Sequence, residues 1–137
     1  YINNPQNFFK IKISKFNKKF KKYKKKKVFF TLLLSNDIEI KNLNKKFRKK
    51  NKTTDVLSFP YYDSKKIRIK LKLNKNIYLG DIVINLYKID KRKNKFKKEF
   101  NKLWVHGLVH LFGYDHKKEK DYINMNRIEK KFISYLN

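Results

Sequence analysis

The chain holds three histidines in 137 residues, and all fall inside one run, His106-Gly-Leu-Val-His110-Leu-Phe-Gly113-Tyr-Asp-His116. Residues four apart stack on one face of a helix, so His106 and His110 can direct two imidazoles at a common point. Glycine readily takes the left-handed conformation that ends helices, and Gly113 supplies such a stop. The chain then turns through Tyr114 and Asp115 and returns His116 as a third ligand. Three nitrogen donors with a fourth position left for water describe a catalytic zinc site rather than a closed structural one. Cysteine is absent, so neither disulfides nor thiolate ligands enter the reading.

The spacing H-x-x-x-H-x-x-G-x-x-H is shared with the metzincin proteases. Position 107 is glycine, where those enzymes carry the glutamate that acts as general base. The metal geometry therefore fits a zincin, while peptide hydrolysis by that route lacks its proton acceptor. A glycine inside a helix costs about 1 kcal/mol relative to alanine. Its presence implies that another part of the chain approaches the backbone closely.

Thirty-eight basic against 11 acidic residues give a formal charge of +27, which favours polyanions through phosphate neutralisation and counterion release. The excess is almost all lysine, alanine is absent, and Asn, Ile, Phe and Tyr abound. A drift toward A/T-rich codons accounts for much of this without selection for RNA, although the surface attracts nucleic acid either way. No secretory signal is visible. The longest strongly apolar run, Val28 to Leu34, is too short to span a bilayer. A soluble cytoplasmic protein with no membrane partner is the expectation.

Along the chain, Phe9, Ile13, Phe16, Phe20 and Tyr23 recur at helical spacing. Lys24 to Lys27 reads as a loop and Val28 to Leu34 as a buried strand. Asn36 with Glu39 resembles a capping box, opening a helix that carries Ile40, Leu43 and Phe47. Thr54 to Pro60 reads as a short strand stopped by proline. Ile67, Ile69, Leu71 and Leu73 alternate with polar positions and predict another strand, and Tyr78 to Ile84 a further one. A helix from about Lys95 to Phe112 carries the first two histidines, and a last helix spans roughly Glu119 to Leu136.

Three of these segments, Thr54-Asp-Val-Leu-Ser-Phe-Pro60, Leu79-Gly-Asp-Ile-Val-Ile84 and His106 to His116, together resemble the YbeY family of bacterial endoribonucleases, also called rRNA maturation factors. Leu43-Asn-Lys-Lys-Phe-Arg48 resembles the family segment preceding the first of them, and the likeness covers about residues 28 to 137. The resemblance implies an α+β fold: a single domain over residues 1–137 with a roughly four-stranded mixed sheet packed with helices and a zincin-like metal helix. It implies one Zn2+ held by His106, His110 and His116. It also implies a single-strand-preferring endoribonuclease in ribosomal RNA maturation, at the 3′ end of the small-subunit RNA, and in ribosome quality control. Single-stranded or ribosomal RNA and the small ribosomal subunit are then the partners, without DNA specificity. Family members carry an extra strand before the first helix. Here only Tyr1 to Gln6 are left to replace it, so residues 1–27 read as a divergent, truncated N-terminal region.

The family's arginine maps onto Arg48, which makes Arg48 and His106 the expected catalytic residues. Arginine can hold a phosphate bidentately where lysine acts as a point charge. Asp115 is expected in the turn or supporting an imidazole, Asp81 and Asp55 in structural hydrogen bonds, and Glu99 paired with a lysine. Trp104 is expected in the core, and the role of Tyr114 stays open between packing and base stacking. Two other classes share parts of this pattern. One is a metal-dependent hydrolase of peptide or another small substrate; the other is a non-catalytic, basic ribosome-binding protein with a structural metal.

Overall fold

The computed structural model describes residues 5–137. The elements run α1 (Pro5–Lys24), β1 (Lys27–Ser35), α2 (Asp37–Arg48), β2 (Val56–Pro60), α3 (Ser64–Leu73), β3 (Asn76–Asn85), a short 3-10 turn (Leu86–Lys88), α4 (Lys93–Leu111) and α5 (Glu119–Ser134). The class is α+β, as expected, with a three-stranded sheet in the order β1-β3-β2. β1 pairs with β3 in parallel and β2 pairs with it antiparallel. The central strand is therefore buried on both faces, with Leu79, Ile82, Val83 and Ile84 at most 2% exposed. Parallel strands so covered read as continuous apolar runs, which is how Ile82-Val83-Ile84 reads.

The expected four-stranded sheet is corrected to three among the described residues. Ile67 to Leu73, anticipated as a strand, forms α3. Asp63 caps this helix by accepting a hydrogen bond from the Lys66 N–H at 2.8 Å. Alternation over so few residues contains an i, i+4 pair, so the pattern does not separate period 2 from period 3.6. Ile67 is buried and Leu71 half-buried on one helix face, while Ile69 and Leu73 point to solvent. Of Tyr1 to Gln6, the first four residues lie outside the described ones, and Pro5 and Gln6 open α1.

One face of the sheet carries α2 through a small cluster of Ile40, Leu57 and Val83. The other carries α4, with α5 packed against it and α1 against β1. The absence of alanine leaves large rings to fill this second layer. Trp104 is fully buried and meets Phe9 and Phe16 edge-on at 5.4 and 6.1 Å, while Phe16 meets Phe132 of α5 at 5.2 Å. Such tilted aromatic pairs contribute about 0.5–1.5 kcal/mol each beyond the area they bury. Among the described residues no helix is long and apolar enough to cross a membrane.

The N-terminus of α2 is tied down by polar contacts. Asn36 accepts from the Glu39 N–H at 2.9 Å, as the capping signal predicts, while the Glu39 carboxylate takes the Ser35 hydroxyl at 2.7 Å. Asn85, fully buried at the end of β3, donates through Nδ2 to Asp37 Oδ1 at 2.6 Å and reaches the Thr54 carbonyl at 3.2 Å. The Asn85 amide is the first cause that lowers the Asp37 pKa, with Thr53 and Lys88 adding to it and desolvation opposing. A carboxylate depressed in the folded state stabilises above its unfolded value of 3.8, and that stabilisation is lost as pH falls through the folded value. Asn85→Ala is expected to cost about 0.5–1.5 kcal/mol at neutral pH by removing the hydrogen bonds of a fully buried amide to its half-exposed partners. In urea titrations the gap between the two proteins should narrow as pH drops below about 4.

Candidate metal centre

α4 is apolar where it meets the sheet: Phe100, Trp104, Val105, Leu108, Val109 and Leu111 are fully buried. That burial fixes the helix rotation and leaves His106 and His110, one turn apart, half-buried at its edge. Gly107 lies between them on the sheet side. A Cβ there would sit 2.8 Å from Ile82 Cγ2 and 3.1 Å from Ser58 Oγ. The close approach anticipated from the helical glycine is thus that of β3 and β2. The Ser58 hydroxyl uses it to donate to the Gly107 carbonyl at 3.2 Å.

Gly113 takes φ +95°, the left-handed conformation expected of it. The chain turns there, and Asp115 Oδ1 accepts the His116 N–H at 2.7 Å, so the turn role is the one Asp115 fills. His116 is thereby brought back over the helix. Its ring centroid lies 5.7 Å from that of His106 and 5.2 Å from that of His110, and the first two rings are 4.7 Å apart. One donor nitrogen from each histidine can be chosen so that no two are further than 4.8 Å apart.

The outer nitrogens decide how the inner ones are used. His110 Nδ1 is 3.0 Å from the Tyr114 carbonyl oxygen, which only accepts, so Nδ1 carries the hydrogen. His106 Nδ1 is 2.6 Å from Glu129 Oε1 on α5, a carboxylate that accepts in the same way. Both rings then turn an Nε2 lone pair inward, and these two nitrogens are 3.2 Å apart. With both rings neutral, neither has a hydrogen to give the other, and a cation between them is the group that both lone pairs can share. Two ligands on a tetrahedral ion with bonds of 2.0–2.1 Å are separated by about 3.3 Å, which matches. His116, the exposed member, is the ring free to close on the ion. Burial pushes the His110 pKa below its ordinary 6.5, helped by the neighbouring His106, while the Tyr114 carbonyl opposes. Its neutral, ligating form is therefore the prevailing one at pH 7.

Arg48 stands at the exposed end of α2. Its Nη2 donates to the Ser58 carbonyl at 2.6 Å and its guanidinium lies 5.9 Å from the Phe59 ring centroid. Ser58 is the residue bonded to Gly107, so Arg48 joins the metal helix through a single residue of β2. A guanidinium carries five N–H donors, and one carbonyl leaves capacity for a phosphate.

Asp81 accepts from the Tyr78 hydroxyl at 2.5 Å, and the Asp55 carbonyl accepts from the Asn85 N–H. Trp104 is core, with Nε1 donating to Asn101. Glu99 accepts the Asp90 N–H at 3.2 Å rather than a lysine, closing the loop before α4. Tyr114 lends its carbonyl to His110, and its side chain is exposed. Glu129 was invisible to sequence reasoning. Its only signal is an acidic residue on a half-buried helix face in a chain that has 11 acids in all.

The family model described as "Endoribonuclease YbeY" matches residues 1–137. The chain belongs to the YbeY endoribonuclease family. A protein named endoribonuclease YbeY from Pelagibacter ubique is 46% identical over 132 residues, covering 93% of this chain and 82% of the relative. One from Buchnera aphidicola subsp. Schizaphis graminum is 39% identical, covering 84% and 72%. The solution structure of TM1509 from Thermotoga maritima is similar, with a TM-score of 0.64 at 26% identity, covering 98% of this chain and 85% of that one. YbeY endoribonucleases are hydrolytic enzymes, and this chain is one of that class.

Two expectations follow for this YbeY site. Glu129→Gln keeps the shape but removes the carboxylate on His106, and metal affinity in a chelator competition should fall about 10- to 100-fold. A histidine whose folded pKa is lowered binds fewer protons than in the unfolded chain. Stability and metal retention should therefore both decline as pH falls below about 6.5, measured by elemental analysis after dialysis across a pH series.

Proposed function

We propose that this chain is a metal-dependent endoribonuclease that cuts single-stranded RNA and matures ribosomal RNA in the cytoplasm, acting at the 3′ end of the small-subunit RNA and in ribosome quality control. In this reading residues 1–137 act as one domain, and its partner is the small ribosomal subunit. The observation that carries it is the pair of imidazoles with outward nitrogens anchored and inward nitrogens 3.2 Å apart. His106, His110 and His116 hold the ion, which zinc suits because imidazole nitrogens are among its preferred donors and two of the three already stand at tetrahedral spacing. When bound, such an ion acidifies water toward neutral pH and polarises a phosphoryl oxygen.

The chain's own residues do the rest. Glu129 and the Tyr114 carbonyl hold two rings in the ligating tautomer. His106, the ligand backed by a carboxylate, sets the donor strength of the site and is the first catalytic residue. Arg48, the second, presents its remaining N–H donors to the scissile phosphate and offsets charge that builds on its oxygens. The +27 surface draws the polyanion in and makes association fall with salt. Gly107, which occupies the place of a protease's general base, has a packing role against Ile82 and Ser58, and this weighs against peptide as substrate.

His106→Ala or His116→Ala should lose both the metal and cleavage of a ribosomal RNA precursor. Arg48→Ala should retain the metal by elemental analysis yet cleave at least tenfold more slowly. Cleavage of unstructured peptide but not RNA by the metal-loaded protein would remove the proposal.

A further inference from the structure

α2 covers only part of its face of the sheet. Ile40 and Leu43 seat it over Leu57 and Val83, and the rest of that face stays open. On the open part stand Phe29 of β1, Tyr78 of β3 and Tyr61 just past β2, with Phe47 of α2 at the margin. These four rings are between 40 and 68% exposed. Tyr61 meets Tyr78 edge-on at 6.0 Å, and Tyr78 is the register partner of Phe29. Three rings thus form a row across the sheet, about 5 Å from one strand to the next. Half-buried Phe59 extends the row and meets Phe47 edge-on at 5.5 Å. An apolar patch left open in this way marks a surface for a partner.

The row is built by the backbone. Residues three apart on a regular strand point to opposite faces. Phe29 and Thr31 of β1 pair with Tyr78 and Asp81 of β3, so β3 carries one extra residue, with Gly80 at φ +134° in the bulge. That bulge returns Tyr78 to the face of Asp81, since bulges re-aim side chains. The Tyr78 hydroxyl donates to Asp81 Oδ1 at 2.5 Å and accepts from the Thr31 hydroxyl at 2.7 Å. An exposed ring is therefore held in place before any ligand arrives, which lowers the ordering cost of binding. Cations rim the rings. Lys27 Nζ lies 5.1 Å from the Phe29 centroid, Lys46 Nζ 5.3 Å from that of Phe47, and the Arg48 guanidinium 5.9 Å from that of Phe59. Surface cation–π attraction explains each contact singly but not why the rings stay uncovered. A second copy of the chain would bring another charge of +27 to the same face. A single-stranded polyanion suits it, because bases stack on rings while the phosphates between them meet cations.

We propose that this open part of the sheet stacks unpaired bases of single-stranded RNA on Phe29, Tyr78 and Tyr61, with Lys27 and Lys46 meeting the phosphates alongside. The choice of RNA rests on the endoribonuclease reading above. Arg48 joins this face to the metal centre. It lies against Phe59 and donates to the Ser58 carbonyl on β2, and the Ser58 hydroxyl bonds the carbonyl of Gly107, between His106 and His110. A strand passing β2 at Arg48 has its bases held on one face of the sheet and its backbone cut beside the helix on the other. Paired bases keep their faces inside a duplex, so the platform selects unpaired RNA.

The test is binding of single-stranded and duplex oligoribonucleotides of equal length to the full chain, read by anisotropy across a salt series. Phe29→Leu with Tyr61→Leu keeps apolar bulk at two exposed positions, so the denaturation midpoint should stay at the wild-type value. Affinity for the single strand should fall about 5- to 30-fold, with the slope of log K against log salt unchanged because no phosphate contact is removed. Affinity for the duplex should not change. A single strand carrying 2-aminopurine, whose emission is quenched by stacking, should darken on the wild-type protein and less on the double variant. Unchanged single-strand affinity, or equal losses for single strand and duplex, overturns the proposal. If the variant's midpoint falls, the 2-aminopurine strand on wild-type protein decides, and emission that does not drop on binding overturns the proposal. A wild-type dimer in sedimentation that the double variant loses assigns the face to a second copy and overturns it too. Wild-type cleavage is scored in parallel. RNA held through these rings but never cut supports the platform and counts against the metal-centre reading, whereas RNA that is cut but held equally by the double variant does the reverse.

Discussion

The seating of α4 on the sheet at Gly107 is the constraint on which the rest of this structure depends. Helices normally pack at distances set by side chains, but here the helix backbone meets Ile82 and Ser58 directly. The approach fixes how deep α4 lies and how it is rotated. The flanking histidines then emerge at the helix edge, where the turn at Gly113 can return a third ring. It also brings the Gly107 carbonyl within reach of the Ser58 hydroxyl, which joins the tip of α2 and its arginine to the same helix. The placement of the two helical histidines and the link to Arg48 thus both follow from one close approach.

The core shows how a chain without alanine reaches that packing. Small residues normally tune the spacing of layers, and rings must do so here. Trp104 is boxed by Phe9, Phe16 and Phe30, and Phe16 bridges onward to α5. Aromatic rings pack at discrete tilts, so the layers are held by geometry rather than by gradual filling. Lysine covers the outside, including positions where its ammonium lies over an aromatic face, as Lys97 Nζ does at 5.5 Å from the Phe8 ring centroid.

Much of the centre was legible because its information is local. His106 and His110 are one helical turn apart, and Gly113 announces the stop, so the three histidines that the structure brings together could be named as candidate ligands from eleven consecutive residues. The cap at Asn36 and the buried run of β3 were legible for the same reason. α3 was misread because its apolar positions satisfy two periods at once, and the discriminating signal, Asp63 at the N-cap, lay outside the run. Glu129 was missed for a different reason. Its partner is 23 residues away, and only the docking of α5 on α4 brings them together. What supports a ligand is tertiary information, even where the ligand itself is written in a motif.

That docking couples the site to the end of the chain. The three nitrogens belong to α4 and its return loop, yet one of them is oriented by a carboxylate from α5. An ion captured by the nitrogens favours the conformations in which α5 is seated, since binding to the folded state alone shifts the folding balance by mass action. The divalent ion would then act as a clasp as well as a reagent. The supply of metal in the cell would govern how long the C-terminal helix stays latched, and through it how much working enzyme survives proteolysis.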